Sequence, residues 1–219
     1  MIILKNLLDF LASWNYNAFI VKNTTNLMDR RCLRTREALE QSLFQFFTVH
    51  PYSERLSVMT LCKSAEVSTP TFYRHYPGLL EVAEAGHMRI QLELTVIFEE
   101  NTSLIISLTR LFYFVAKHAL YYRYSVLRMN ARAFEGISGL MRTEIGLFVR
   151  TSRGTRRARG VDDWICFEVE NYVTAVLKWW IIQDGLDVRK IDDRVQEILA
   201  FIKQRIEASE KRLAAGMER

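Results

Sequence analysis

Ser57–Tyr76, SVMTLCKSAEVSTPTFYRHY, decides how the rest of the chain is read. Val58, Leu61, Cys62 and Ala65 recur at helical spacing, which predicts a short amphipathic helix. Ser57 stands where its hydroxyl can accept an orphan N–H at that helix's start. A tight connection follows, and Ser68 is placed to cap a second short helix. Pro70 falls in the first turn of that helix, where its missing N–H costs nothing. Thr69, Pro70, Thr71, Tyr73, Arg74 and His75 then crowd into two turns. Small hydroxyls, an aromatic and a cation at one exposed helix start suit docking against phosphates and base edges. The plainer alternative is a tight helical hairpin inside a globular core.

Length and composition bound the rest. The chain has 219 residues and is 49% hydrophobic, enough for one or two modest cores. Its 9 Gly and 3 Pro leave long stretches without turn punctuation, which favours an all-α fold. A net charge of +5 fits an anionic partner without requiring one. Cys32, Cys62 and Cys166 are scattered and form no CxxC, so they read as reduced thiols in a cytoplasm, with no disulfide and no zinc. Nowhere do 18 apolar residues run together, so no membrane span is expected.

Residues 1–27 are apolar and aromatic up to Val21 and end in KNTTN. They fit a signal peptide poorly, because Asp9 interrupts the apolar run and no small-residue cleavage site follows. Two readings stay open: an added packing helix, or a stretch upstream of a true start at Met28. Beyond it, apolar periodicity predicts helices over Arg34–Phe47 (through Leu39, Leu43, Phe46 and Phe47), Leu79–Glu99, Ser103–His118, Tyr121–Phe134 and Gly136–Arg150. Arg150–Gly160, RTSRGTRRARG, reads as an exposed flexible loop. Asp162–Ile182 and Ile191–Leu213 complete the set. The domain organisation is an N-terminal extension (1–27), a three-helix head (28–78) and a larger helical body (79–219).

From Arg30 to Val82 the sequence resembles the tetracycline-repressor (TetR-like) family of transcription regulators. The resemblance rests on TREALEQSLFQFF (35–47), VMTLCKSAEVS (58–68) and TPTFYRHYPGLLEV (69–82). It implies a helix-turn-helix head that reads double-stranded DNA, and a body that dimerises and takes up a small-molecule effector. Carried onto this sequence, the DNA-binding residues are Arg30, Arg34, Ser57, Lys63, Ser68, Thr69, Pro70, Thr71, Tyr73, Arg74, His75 and Tyr76. Thr69, Pro70 and Thr71 are placed to reach base edges, and Tyr73, Arg74, His75 and Lys63 to meet phosphates. Two positions depart from the family pattern. Glu66 stands where the turn usually has Gly, at a cost of about 1 kcal/mol if φ is positive. Leu79 stands where a phosphate-binding Lys is usual.

One head contacts too little DNA for useful specificity, so a homodimer on two half-sites is expected. The interface is expected to be a four-helix bundle using Val173, Val176, Trp179, Trp180, Ile198 and Ile202. The effector candidates are Phe112, His118, Tyr121, Tyr122, Arg128 and Phe167, though an aromatic stripe is also what an ordinary core looks like. No GxGxxG, P-loop, GxSxG or HExxH occurs, so no enzyme and no cofactor are expected. Glu84 and His87 have metal-ligand spacing but no companions. The expected function is a ligand-released repressor on a palindromic operator. The alternative from another class is a non-catalytic helical module that binds a protein partner.

Overall fold

The computed structural model describes residues 30–50, 55–97, 103–128, 132–153 and 159–217. The extension 1–27 lies outside them. The described residues are helical, with no strand: α1 (Arg30–Val49), α2 (Val58–Ser64), α3 (Thr69–His75), α4 (Leu79–Ile97), α5 (Leu104–Lys117), α6 (Ala119–Leu127), α7 (Arg132–Arg153), α8 (Arg159–Ile182), a 3-10 turn (Val188–Lys190) and α9 (Ile191–Met217). The fold is all-α. Among the described residues no single helix is long and apolar enough to cross a membrane.

Several boundaries differ from the sequence reading. Gly136 does not begin a helix. It lies inside α7, where its missing Cβ leaves room for the Gln91 side chain. Both ends of the arginine-rich segment are helix. α7 runs to Arg153 and α8 begins at Arg159, so only 154–158 lie outside the described residues. Arginine is a good helix former, which the count of charges obscured.

The chain divides into two compact units. The first holds residues up to Phe46 and Arg55–Gly86. Its core is Leu39, Leu43 and Phe44 from α1, Leu61 and Cys62 from α2, Phe72 and Tyr76 around α3, and Val82 of α4. Phe44, one position off the predicted stripe, is the buried phenylalanine here. Its ring lies where a Cβ on Gly86 would be, 2.8 Å from that position, so glycine is what lets ring and helix backbone close up.

The second unit holds Phe47–Glu54 and His87 onward. Here α8 packs against α7 and α9, and α9 packs against α5. α8 buries Ile165, Val169, Val173, Val176, Leu177 and Trp180, and α9 buries Val195, Ile198, Leu199, Ile202 and Ile206. Phe112 meets Trp180 edge-on, with centroids 5.0 Å apart. The Trp180 indole donates to the Asp187 carbonyl at 3.2 Å, which ties α8 to the turn that follows it. In that turn Asp184 accepts from Lys190 (3.1 Å) and Arg194 (2.6 Å). α5 and α6 meet at 83°, with His118 at the corner.

Candidate nucleic-acid interface

The site is built from two caps and one strained residue. The Ser57 hydroxyl accepts from the Thr60 N–H at 3.0 Å and begins α2. α2 ends in a Schellman closure: the Val67 N–H reaches the Cys62 carbonyl (2.9 Å) and the Glu66 N–H the Lys63 carbonyl (3.4 Å). That closure puts Glu66 in the left-handed region at φ 54°, a place where glycine is preferred. The Ser68 hydroxyl then accepts from the Thr71 N–H at 3.3 Å and begins α3, with Pro70 in its first turn.

α3 is divided sharply between inside and outside. Phe72 is fully buried and meets Tyr76 at 6.2 Å between centroids. Thr69, Pro70, Tyr73 and Arg74 face solvent, with Tyr73 57% exposed. Ser57, Lys63 and Ser68 are exposed beside them, as is Arg34 on α1. Arg30 opens α1, and its side chain lies outside the described residues. Thr71 is half-buried and held at both ends: its hydroxyl accepts from Ser68 (2.8 Å) and from Arg74 Nη2 (3.1 Å). The Ser68–Thr71–Arg74 chain therefore fixes a hydroxyl and a guanidinium at the helix start. His75 is half-buried, with its Nδ1 3.7 Å from Cys32 Sγ. Burial first, then Arg36 and Arg74, hold its imidazole below the ordinary value, so at neutral pH it offers hydrogen bonds and no charge.

Tyr76 does not belong to the contact set. Only 1% of it is exposed, its hydroxyl donates to the buried Glu40 at 3.3 Å, and Arg36 lies over its ring at 5.7 Å. The ring packs inward and the hydroxyl serves a buried carboxylate. Thr60 and Met59, absent from the sequence-based set, are exposed on α2. The hydroxyl of Thr60 bonds to that of Ser57 at 2.8 Å. Their place opposite Leu61 and Cys62 in the helical period was the signal for them.

The other candidate residues fall apart into separate roles. Phe112, Tyr121 and Tyr122 are buried in the second unit, and the Tyr122 hydroxyl has no hydrogen-bond partner among the described residues. Phe167 is half-exposed and points out of that core. Arg128 is exposed and lies over the Phe47 ring at 4.1 Å. His118 Nε2 is 3.0 Å from Glu93 Oε2. Burial lowers the His118 pKa against the pull of Glu93. Burial also opposes ionisation of Glu93, but Lys117, His118 and Arg89 together hold its carboxyl below the usual value. The contact at neutral pH is thus a hydrogen bond from neutral imidazole to carboxylate. His87 shares a hydrogen bond with the Tyr121 hydroxyl through its Nδ1.

The interface set also divides. Val173, Trp180, Ile198 and Ile202 are fully covered by the chain's own side chains, and Val176 nearly so. They form the core and cannot meet another copy. Trp179 alone of the six is exposed. Among the described residues no group of three or more His, Cys, Asp or Glu could hold a metal ion. No family model matches the chain, and no curated protein or solved structure matches it either.

Proposed function

We propose that the chain is a DNA-binding transcription regulator, a repressor that acts as a homodimer on a palindromic operator in the cytoplasm. α2 and α3 with residues 65–68 form its helix-turn-helix, and α3 is the reading helix. The observation that carries this is the outward face of α3's first turns. Thr69, Pro70, Tyr73 and Arg74 stand in solvent around a Thr71 hydroxyl held between Ser68 and Arg74. Thr69 and Pro70 reach base edges, the Pro70 ring against a thymine methyl. Tyr73, Arg74, Lys63 and Arg34 bind phosphates and set the register.

In this reading the second unit takes up the effector that releases the operator. The Tyr122 hydroxyl, buried without a partner among the described residues, supports a ligand bearing a hydrogen-bond acceptor there. Glu66, exposed at the turn, favours the second reading, a helical module whose partner is a protein, because a carboxylate beside a duplex is repelled. Mapping of the chromosomal fragments bound by the full chain tests the first reading. It expects a few sites sharing an inverted repeat, lost with Thr71→Ala and Tyr73→Ala together. Retention of the same sites by that double variant would contradict it.

A further inference from the structure

Cys32 on α1 and His75 at the end of α3 meet inside the first unit, 43 residues apart in sequence, with Sγ 3.7 Å from Nδ1. Nothing in the DNA reading calls for a thiol there. Cys62 and Cys166 are buried, at 3% and 8% exposure, whereas Cys32 reaches solvent in part. Arg36 stands one helical turn after Cys32 on the same face of α1. Its charge and that of Arg74 both act on the His75 imidazole. Burial and these two cations keep the imidazole uncharged at neutral pH. In the Nε2–H tautomer its Nδ1 therefore holds a lone pair toward the sulfur. The same two cations attract a sulfur anion. A thiol that is partly exposed, within reach of a base and beside positive charge meets the conditions under which cysteines turn nucleophilic.

We propose that Cys32 is a modification site for small α,β-unsaturated carbonyl compounds, with His75 as its base, and that the adduct disables α3. The thiol chemistry stands on the pair alone, and the effect on α3 rests on the DNA reading above. In the reaction Nδ1 of His75 takes the thiol proton. The sulfur forms a C–S bond to the β-carbon, and the C=C π pair moves toward the carbonyl as an enolate. The imidazolium then gives its proton to the α-carbon. Thiol and alkene add, no group leaves, and no oxidant or reductant is needed. The consequence for α3 follows from packing. An adduct on Cys32 is larger than the 3.7 Å contact allows, so His75 must leave α1. Phe72 and Tyr76, on either side of His75 in sequence, are fully buried, so the end of α3 cannot make room without disturbing the core that holds it.

The test is the rate at which N-ethylmaleimide, a member of this class, alkylates each cysteine of the full chain at pH 7, read from peptide masses. Cys32 is expected to react at least about tenfold faster than the same cysteine in a free peptide of residues 30–36. Cys62 and Cys166 are expected to react more slowly than that peptide. His75→Gln, shown to be folded by far-UV circular dichroism, is expected to slow Cys32 at least about tenfold. A histidine that merely covers the thiol gives the reverse, a faster reaction once it is removed. Should His75→Gln unfold, the comparison with the free peptide decides. A Cys32 no faster than the peptide, or a folded His75→Gln that is not slowed, overturns the modification site. On a recovered chromosomal fragment, label on Cys32 is expected to cost the wild type at least about tenfold in affinity, and Cys32→Ser given the same treatment nothing. A labelled wild type that binds as before overturns the effect on α3. An unlabelled chain that binds no fragment removes the DNA reading and that effect with it, while the alkylation rates still decide the modification site.

Discussion

α3 and α8 each bury one side and present the other, yet they present opposite chemistry. α3 turns Thr69, Tyr73 and Arg74 outward, and α8 turns Trp164, Phe167 and Trp179 outward. Hydroxyls and guanidinium keep their hydration until a charged partner replaces it. Exposed indoles gain by leaving water altogether. The same helical geometry therefore produces one face suited to a wet, anionic partner and one suited to a dry contact.

Neighbouring residues on these helices sharpen the contrast. Phe72→Ala and Trp180→Ala each remove a fully buried aromatic and are expected to cost about 3–5 kcal/mol. Tyr73→Ala and Trp179→Ala, one position away, are expected to change the stability of the single chain by less than about 0.5 kcal/mol. Urea unfolding at high dilution, followed by circular dichroism, checks all four. Equal losses for Phe72 and Tyr73 would mean that α3 is buried on both sides.

The second unit also carries a pH signature, centred on His87. Burial, helped by Arg132, lowers the His87 pKa to about 4 from an ordinary 6.5. The unfolded chain therefore binds a proton that the folded chain refuses between those values. Stability from this group is complete above pH 6.5 and is lost as pH falls toward 4, on the order of 3 kcal/mol. Urea midpoints measured from pH 7 to 4 are expected to fall more steeply for the wild type than for His87→Gln. Parallel curves would contradict the assignment.

A smaller effect than that of His87 concerns the turn. Glu66→Gly relieves a left-handed conformation and is expected to stabilise the first unit by about 1 kcal/mol. It also removes an exposed carboxylate next to Lys63, so duplex binding is expected to tighten. A thermal melt and a binding titration of the same variant check both parts.

Much of the first unit was legible because caps and turns are local. Ser57, Ser68 and Pro70 each follow from a few neighbouring residues, and the strain at Glu66 was expected from the family pattern. The hydrogen bond of Tyr76 was not legible, since its partner Glu40 lies far away in sequence. Phe44 was missed because Leu43, Phe44, Phe46 and Phe47 surround more than one side of α1, so period alone could not choose the inward ring. α8 posed the same problem over its whole length. The apolar period put Trp180 on one face with Ile165, Val169, Val173 and Val176, but it could not tell whether that face meets the chain's own core or a second copy. Only packing against α7 and α9 decides it.

The central claim concerns the start of α3, and a salt titration of duplex binding tests it most directly. With a recovered chromosomal fragment, log affinity of the wild type is expected to fall with log salt at a slope of about −5 for about six phosphates per head. Thr71→Ala with Tyr73→Ala is expected to weaken binding at least tenfold on that fragment and, through the lost Tyr73 phosphate contact, to weaken binding to unrelated duplex by a smaller factor. Equal binding of both proteins to both duplexes, at every salt concentration, would contradict it.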